Sequence, residues 1–588
     1  MQNFRDVLDD CGFQDLGFHG LEFTWCNNRI NGATVWARLD RMVANSEWLL
    51  KFPDAQVHHI QGTLSDHMPL WLTPTPARVN RRKRMFRFES MWLTDEGCKC
   101  TVEDAWQSQS EGSHMEHLWT RVNRCRRRLS SWGRQNFGNV RRQLVDKRSQ
   151  LQAAELRSMQ GGDHHQVVLL RNELSHLLSR EEMMWSQRSR TTWLREGDRN
   201  TRLFHCRASQ RRHRNSILGL RDEHGEWCEQ IDKMAKIALD YFQNIFKTGG
   251  PTEIQRVTDH IPRVVTVDMN NTLSQEYTAE EVEIAIKQMA PLTAPGPDGL
   301  PPLFYHTFWS FIGGDVTSTV LSSLNSGKIL QPINHTYITL IPKVKSPEKI
   351  TEFHPISLCN VVYKIISKVI ANRLKIIMPH VIFDIQSAFV PGRLITDNIL
   401  VAFETLHHMK HHMHGRKGSM ALKLDMSKAY DRVEWQFLLA VMHQMGFHQR
   451  VINLIAECLQ TVSYSILING EPQGFFRPSR GLRQGDPLSP YLFLLCTEGL
   501  HGLLKSAALS RAIHGVSISK NSPKLSHIFF ADDSLLFCRA NVHECQRVLD
   551  ILQTYEVASG QKLNKDKTTL FFSKSTLQID QDAIKLLL

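Results

Sequence analysis

The sequence predicts an α+β fold, and three observations carry that reading. Phe529-Phe530-Ala531-Asp532-Asp533-Ser534-Leu535-Leu536-Phe537 reads as a tight hairpin of apolar strand residues around two acids. Met420–Asp425 and Ser463–Ile468 read as further strands, the second entering an Asn469-Gly470 turn. Leu358, Val361, Val362, Ile365, Ile366 and Val369 instead repeat at helical spacing. At 588 residues the chain is long enough for several domains with real cores.

Along the chain, residues 1–73 alternate short apolar runs with turns, as the last part of an α/β domain would. Thr73-Pro74-Thr75-Pro76 punctuates the sequence, and Arg81-Arg82-Lys83-Arg84 follows. From there to about Lys247 the pattern is mostly helical, and Gly161-Gly162 divides it into an antiparallel helix pair. Between Arg121 and Arg214, 22 Lys and Arg face 8 Asp and Glu, an excess larger than the whole chain's +12. Two readings of that segment stand side by side, a polyanion-binding surface and a solvated helical linker. A new unit begins near Leu273, where Thr278-Ala-Glu-Glu281 is a capping box for a helix to about Met289. Leu340-Ile-Pro-Lys343 ends a strand, and Pro379 is expected to stop the helix begun near Leu358.

The 12 cysteines are scattered without a Cys-x-x-Cys pair, which predicts reduced thiols and no zinc module. No signal peptide and no uninterrupted apolar run of membrane-spanning length is visible. The expectation is an intracellular protein without a membrane partner, located in the nucleus if it functions.

Two adjacent carboxylates repel, and burying them is costly unless a cation compensates. A divalent ion at the Asp532-Asp533 turn would relieve that cost, whereas the alternative is a solvated Asp-Asp turn. Asp425 ends its strand on the face it shares with Lys423. If that strand lies beside the hairpin, three carboxylates meet at one sheet edge, a set able to hold two divalent ions about 4 Å apart. The loop Arg480-Gly481-Leu-Arg-Gln484-Gly485-Asp486-Pro487 permits close backbone approach and offers Gln484 for hydrogen bonding.

With these segments together, the chain resembles the reverse transcriptases of non-LTR (LINE-type) retrotransposons, specifically the plant branch. The matching residues are Ala294-Pro-Gly-Pro-Asp-Gly299, Leu340-Ile-Pro-Lys343, Pro355-Ile-Ser-Leu-Cys-Asn360 and Gln386-Ser-Ala-Phe-Val-Pro-Gly-Arg393. They continue with Leu424-Asp-Met-Ser-Lys-Ala-Tyr-Asp431, Arg480 to Pro490, Phe530-Ala-Asp-Asp533 and Ser559-Gly-Gln-Lys562. Eight motifs in register over about 270–575 make the resemblance specific. It implies a right-hand polymerase, with fingers at about 270–418, a palm at about 419–575 and the thumb missing, within a reverse transcriptase domain at 270–588. A basic helical connector at 76–265 precedes it.

The resemblance also implies an RNA-directed DNA polymerase, a transferase acting on an RNA template, a DNA primer or target and deoxynucleoside triphosphates. Two Mg2+ ions, or Mn2+ in their place, would sit on Asp425, Asp532 and Asp533. Tyr430 matches the bulky residue that excludes a ribose 2′-hydroxyl, and Asp431 a structural position. Gln484 and Gly485 match the loop that contacts template and incoming nucleotide. Lys343 resembles a residue contacting the triphosphate, and Lys567 a proton donor for pyrophosphate. The family carries Arg immediately before Pro-Ile-Ser, where this chain has His354. A neutral imidazole lacks the fixed charge and bidentate geometry of a guanidinium, so weaker nucleotide binding is expected.

Residues 1–75 resemble the C-terminal part of an endonuclease/exonuclease/phosphatase domain, a partial α/β sandwich, through Thr24-Trp25, Arg38-Leu-Asp40 and Ser65-Asp66-His67. There His67 would contact a scissile phosphate, Asp40 would orient it, and Asp66 would serve the catalytic centre. The family's metal-binding Glu is not among these residues, so nuclease activity is not expected. His407, His408, His411, His412 and His414 form a tract in which His407 and His411 lie a helical turn apart, but no carboxylate or cysteine accompanies them. Two functions from different classes remain: a polymerase, and a catalytically inactive retroelement remnant that only binds nucleic acid through its basic segment.

Overall fold

The computed structural model describes residues 7–8, 11–27, 34–52, 55–60, 65–74, 85–107, 113–160, 164–189, 201–411, 418–519 and 522–587. The Arg81–Arg84 run, Gly161-Gly162, His412 and His414 lie outside the described residues. At the N-terminus, Phe13–Asp15 pairs with Val43–Asn45, Trp25–Cys26 with Trp36–Ala37, and Gln56–His59 with Leu70–Thr73, all antiparallel. A helix at Ser46–Lys51 is capped by the Asn45 side chain, which accepts from the Trp48 amide.

The basic segment folds into long helices, Glu96–Trp106, His114–Asn136, Val140–Met159 and His165–Ser189. His114–Asn136 starts on a Ser113/Glu116 capping box and buries Leu118, Val122, Cys125 and Leu129 along one face. Arg127 and Arg128 stay exposed on the opposite side. The buried face packs on helix Pro302–Ser326, where Trp106 Nε1 donates to Asp315 at 2.7 Å and Thr319 Oγ1 to the His114 carbonyl at 3.1 Å. The largest hydrophobic core runs from Phe88 to Ile584 and joins basic helices to the second sheet, while the first sheet has a core of its own. The stretch to Lys247 is not uniformly helical. Leu220–Arg221 and Trp227–Cys228 form a small hairpin, because Gly225 at φ 84° closes a turn that a helix cannot accommodate.

Eight strands build two sheets. In chain order they are β1 (His335–Pro342), β2 (Phe353–Cys359), β3 (Ser419–Leu424), β4 (Ser463–Ile468), β5 (Glu471–Phe476), β6 (His527–Phe530), β7 (Asp533–Arg539) and β8 (Thr569–Phe572). The first sheet has the order β2-β1-β4-β5 and the second β6-β7-β3-β8. The β4–β5 turn has Asn469 at φ 52° and Gly470 at φ 90°, the two positive values that a tight Asn-Gly hairpin turn demands. Helix Ile231–Ile245 lays Met234, Ala238, Phe242 and Ile245 on the first sheet against Ile338, Leu340, Tyr464 and Ile466.

Local signals in the second half set most element ends. Thr278 and Glu281 form both capping-box hydrogen bonds, and the helix runs Ala279–Lys287. Two expectations for the Leu358 helix are corrected. Leu358 belongs to β2, paired with Tyr337, and the helix starts at Val361. Nor does Pro379 stop it, since the helix runs to Val381. Arg393 satisfies the carbonyls there, donating to Pro379 at 3.0 Å and Ile382 at 2.7 Å. Helix Ser489–Leu509 is the one described helix long and apolar enough to cross a bilayer, but it is mostly buried inside the protein.

The Ala294–Gly299 loop joins the basic helices to this core. Asp298 is buried with its amide on Asn360 Oδ1 at 3.1 Å, and burial pushes its carboxyl up to about 7. The Gly299 carbonyl accepts from the Phe88 amide at 3.0 Å. Gly299 sits at φ 74°, and a Cβ there would lie 2.3 Å from the Phe86 carbonyl oxygen. Gly299→Ala is expected to cost more than about 2 kcal/mol of stability, read by denaturant unfolding, from a left-handed backbone and a clash with main chain together.

Candidate active site

Strand register brings the three aspartates to one end of the second sheet. β3 and β7 pair antiparallel, with Leu424 opposite Ser534 and Lys423 opposite Leu535. Asp425 is the next residue beyond Leu424, and Asp533 the first of β7. Phe530 pairs with Asp533, so Ala531-Asp532 is a two-residue turn. Ala531 takes φ 52°, a strained choice for a residue with a Cβ. The turn is braced from behind. The buried Gln386 side chain accepts from the Ala531 amide at 3.1 Å, and Asn398 Nδ2 donates to the Phe529 carbonyl at 2.9 Å.

The carboxylates differ in their surroundings. Asp425 Oδ2 accepts from Asn564 Nδ2 at 3.0 Å and lies 3.6 Å from Lys567 Nζ. Asp533 Oδ1 is 4.0 Å from Lys423 Nζ, with both side chains largely exposed. Asp532 is the most perturbed: burial pushes its carboxyl above the usual range, and Asp533 and Asp425 add to the shift while Lys567 opposes it. Among the described residues no group of three His, Cys, Asp or Glu side chains is placed to hold a metal ion, the three aspartates included. The oxygens of Asp425 and Asp533 meet lysines instead.

A cleft of about 890 Å³ opens in front of this end of the sheet. Asp425, Asp532, Tyr430, Gln484, Gly485, Lys343 and Lys567 all line it. Tyr430 is stacked on Phe493, with ring centroids 4.7 Å apart and planes 13° apart, which fixes its rotamer. The loop before it is held by a segment 130 residues later: Ser427 N donates to the Lys562 carbonyl at 2.7 Å, and Gln561 Nε2 to the Ala429 carbonyl at 2.8 Å. That is the local role of Ser559-Gly-Gln-Lys562. In the Arg480–Pro487 loop, Arg483 is buried against Asp486 at 2.9 Å and over the Tyr363 ring at 4.0 Å. Arg480 donates to the Ile245 carbonyl at 2.7 Å and meets Glu434 at 3.2 Å.

Cations crowd one side. Lys343 Nζ donates to the Thr351 carbonyl at 3.1 Å, and Lys428 Nζ to the Phe353 carbonyl at 3.0 Å. Burial and the neighbouring Lys343 lower the Lys428 ammonium. His354 lines the same cleft, and partial burial followed by Lys343, Lys428 and Lys567 lowers its imidazole, so it is neutral at pH 7. Asp431 is buried with its carboxyl raised by desolvation, and Gln484 Nε2 donates to its Oδ1 at 3.2 Å.

Reading by motif missed Lys428, Arg432, Asn564, Tyr241, Asn244 and Ile245 as lining residues. Lys428 lies inside a quoted motif and was findable. Tyr241, Asn244 and Ile245 come from helix Ile231–Ile245, far from any motif, and packing on the first sheet together with Arg480 brings them to the cleft. The N-terminal trio is also partly assembled. His67 Nδ1 lies 2.8 Å from Asp40 Oδ2, and that contact raises the imidazole. Asp66 Oδ2 accepts from Trp25 Nε1 at 2.9 Å. The His407 and His411 rings lie 4.4 Å apart, tilted by 43°, on an exposed helix face.

The sign of the Asp532 shift gives a test. A carboxyl raised on folding favours its protonated form, so its contribution is present below the unfolded value of 3.8 and is lost as pH rises through the folded one. In metal-free buffer Asp532→Asn should melt at a higher temperature than wild type at pH 7, and the gain should vanish near pH 3.5 (as an order of magnitude for an ordinary carboxyl).

Residues 341–587 match the family profile described as reverse transcriptase (RNA-dependent DNA polymerase). The transposon TX1 149 kDa protein of Xenopus laevis is 26% identical over 570 residues, covering 93% of this chain and 42% of that protein. An uncharacterised mitochondrial protein of Arabidopsis thaliana is 59% identical over 68 residues, 12% of this chain and 56% of its own length. The retrovirus-related Pol polyprotein from a type-2 retrotransposable element of Drosophila melanogaster is 26% identical over 341 residues, 58% of this chain and 30% of that protein. The chain thus spans 30% to 56% of the length of these three relatives. Residues 341–587 are thus similar to reverse transcriptases, and most of the chain is similar to a transposon protein, in a structure of mixed helix and sheet.

Proposed function

We propose that this chain extends a DNA primer on an RNA template by two-metal deoxynucleotidyl transfer, with the second sheet as the palm. The observation that carries the reading is the register that sets Asp425 beside the Ala531-Asp532 turn and Asp533 at one sheet end. Three carboxylates there, one of them raised by burial and by the other two, are a donor set suited to hard divalent cations. Asp425, Asp532 and Asp533 would hold Mg2+ in place of the lysine contacts, and the ions would lower the pKa of a primer hydroxyl and neutralise the leaving pyrophosphate.

The chain's own residues then have defined tasks. Lys343 and Lys428 offer positive charge to the triphosphate, and Lys567, beside Asp425, is placed to give a proton to the leaving group. Tyr430, held flat by Phe493, blocks the space a 2′-hydroxyl would need. Gln484 and Gly485 face the template and nucleotide across the same cleft. The first sheet and the helices around it serve as fingers. Residues 1–75 are read as related to endonuclease/exonuclease/phosphatase domains, a reading supported by the Asp40–His67 contact.

Primer extension on an RNA template with deoxynucleotides and Mg2+ tests this. Wild type should extend, and Asp532→Asn should lose activity by about a hundredfold or more, as expected when transition-state charge loses its stabiliser. Equal background signal from both proteins would defeat the polymerase reading. Salt-sensitive RNA binding retained in that case would favour the inactive nucleic-acid-binding remnant. In an active enzyme, His354→Arg should lower the KM for deoxynucleotide several-fold at pH 7.5, because it restores a fixed charge where a neutral imidazole stands (about threefold to tenfold for one charge-assisted hydrogen bond).

A further inference from the structure

We propose that Asp431 is a positioning residue for Gln484, turning its amide so that the carbonyl oxygen faces the cleft and accepts from a donor on the incoming nucleotide. The inference rests on the polymerase reading and adds a residue to it. Asp431 is 1% exposed, and its Oδ1 accepts from Gln484 Nε2 at 3.2 Å. That bond turns the NH2 end of the Gln484 amide toward Asp431. The remaining end, Oε1, is left for the cleft that Gln484 lines.

Its Oδ2 is buried without a hydrogen bond among the described residues. Lys428 acts on it as a nearby positive charge, while its Nζ donates to the Phe353 carbonyl. An acid kept in such a place for stability alone would be poorly used, since an unsatisfied buried oxygen costs free energy. The backbone meanwhile ties the two residues into one unit. Leu482 N donates to the Tyr430 carbonyl at 2.7 Å, Gly481 N to the Val433 carbonyl at 2.8 Å, and Ser357 N to the Gln484 carbonyl at 2.9 Å. With the main chain fixed at both ends, the bond to Asp431 restricts the side-chain torsions that would otherwise turn the Gln484 amide.

A double-mutant cycle decides the matter. The full chain is bound to an RNA template with a dideoxy-terminated DNA primer, so that dTTP binding is measured without chemistry. Asp431→Leu, which removes the acceptor, should raise the dTTP dissociation constant by about threefold to tenfold, the worth of one hydrogen bond. Asp431→Asn, which keeps a carbonyl acceptor, should stay near wild type. Gln484→Met should match Asp431→Leu, and the double variant should be no worse than either. Additive effects, or an Asp431→Leu constant equal to wild type, would overturn the proposal. If Asp431→Leu does not fold, Asp431→Ser takes its place in the cycle. Wild type that binds dTTP yet fails to extend an ordinary primer defeats the polymerase reading and leaves the cycle to decide this one. Wild type that binds no dTTP overturns both.

Discussion

The antiparallel register between β3 and β7 is the constraint on which the site depends. It places Asp425 next to Asp533 across the sheet, and the two-residue turn then puts Asp532 beside both. Side chains alternate along a strand, so a slip of one residue would send Asp425 to the other face and leave two acids without the third. The register is held by apolar burial: Met420, Leu422 and Leu424 are fully buried in the main core, and a slip would expose them. Core packing and site geometry are thus fixed by the same pairing.

That geometry stores repulsion, and the surrounding loops bear it. Ala531 accepts a left-handed backbone, which a Cβ disfavours, because Gln386 captures its amide and the 383–393 loop clasps the strand behind. Segments far apart in sequence do the same on the other side. Ser427 and Ala429 hang from Lys562 and Gln561, while Gly481 and Leu482 hang from Val433 and Tyr430. The charge balance follows from this arrangement. Acids gathered at the sheet end face lysines at 343, 428 and 567, and partial burial together with those lysines holds His354 neutral. A histidine in that position is a titratable group in a field of fixed cations, where a guanidinium would have added to them.

Much of the local structure was legible. The Asn469-Gly470 turn, the Thr278 capping box and the strand before Asp425 are short-range features, dictated by φ preferences, side-chain capping and alternation. The Pro379 expectation failed because a proline removes only its own N–H, and the helix runs two residues further, to an end whose Pro379 and Ile382 carbonyls Arg393 satisfies. The small hairpin at residues 220–228 was missed because polar residues around a single Gly225 look much like an exposed helical stretch.

The sequence by itself supplied the candidate residues: the three aspartates, Tyr430 and the Gln484-Gly485 loop stand in short motifs. It also determined the dual character of residues 121–214, basic throughout yet apolar at helical spacing. Only the tertiary structure decided that these helices share a core with the second sheet, that helix Ile231–Ile245 supplies a wall of the cleft, and that Asp431 faces Gln484. The physical reason is range. Propensity, capping and turn geometry act within a few residues, whereas burial and hydrogen-bond satisfaction are settled between segments that the chain brings together only when it folds.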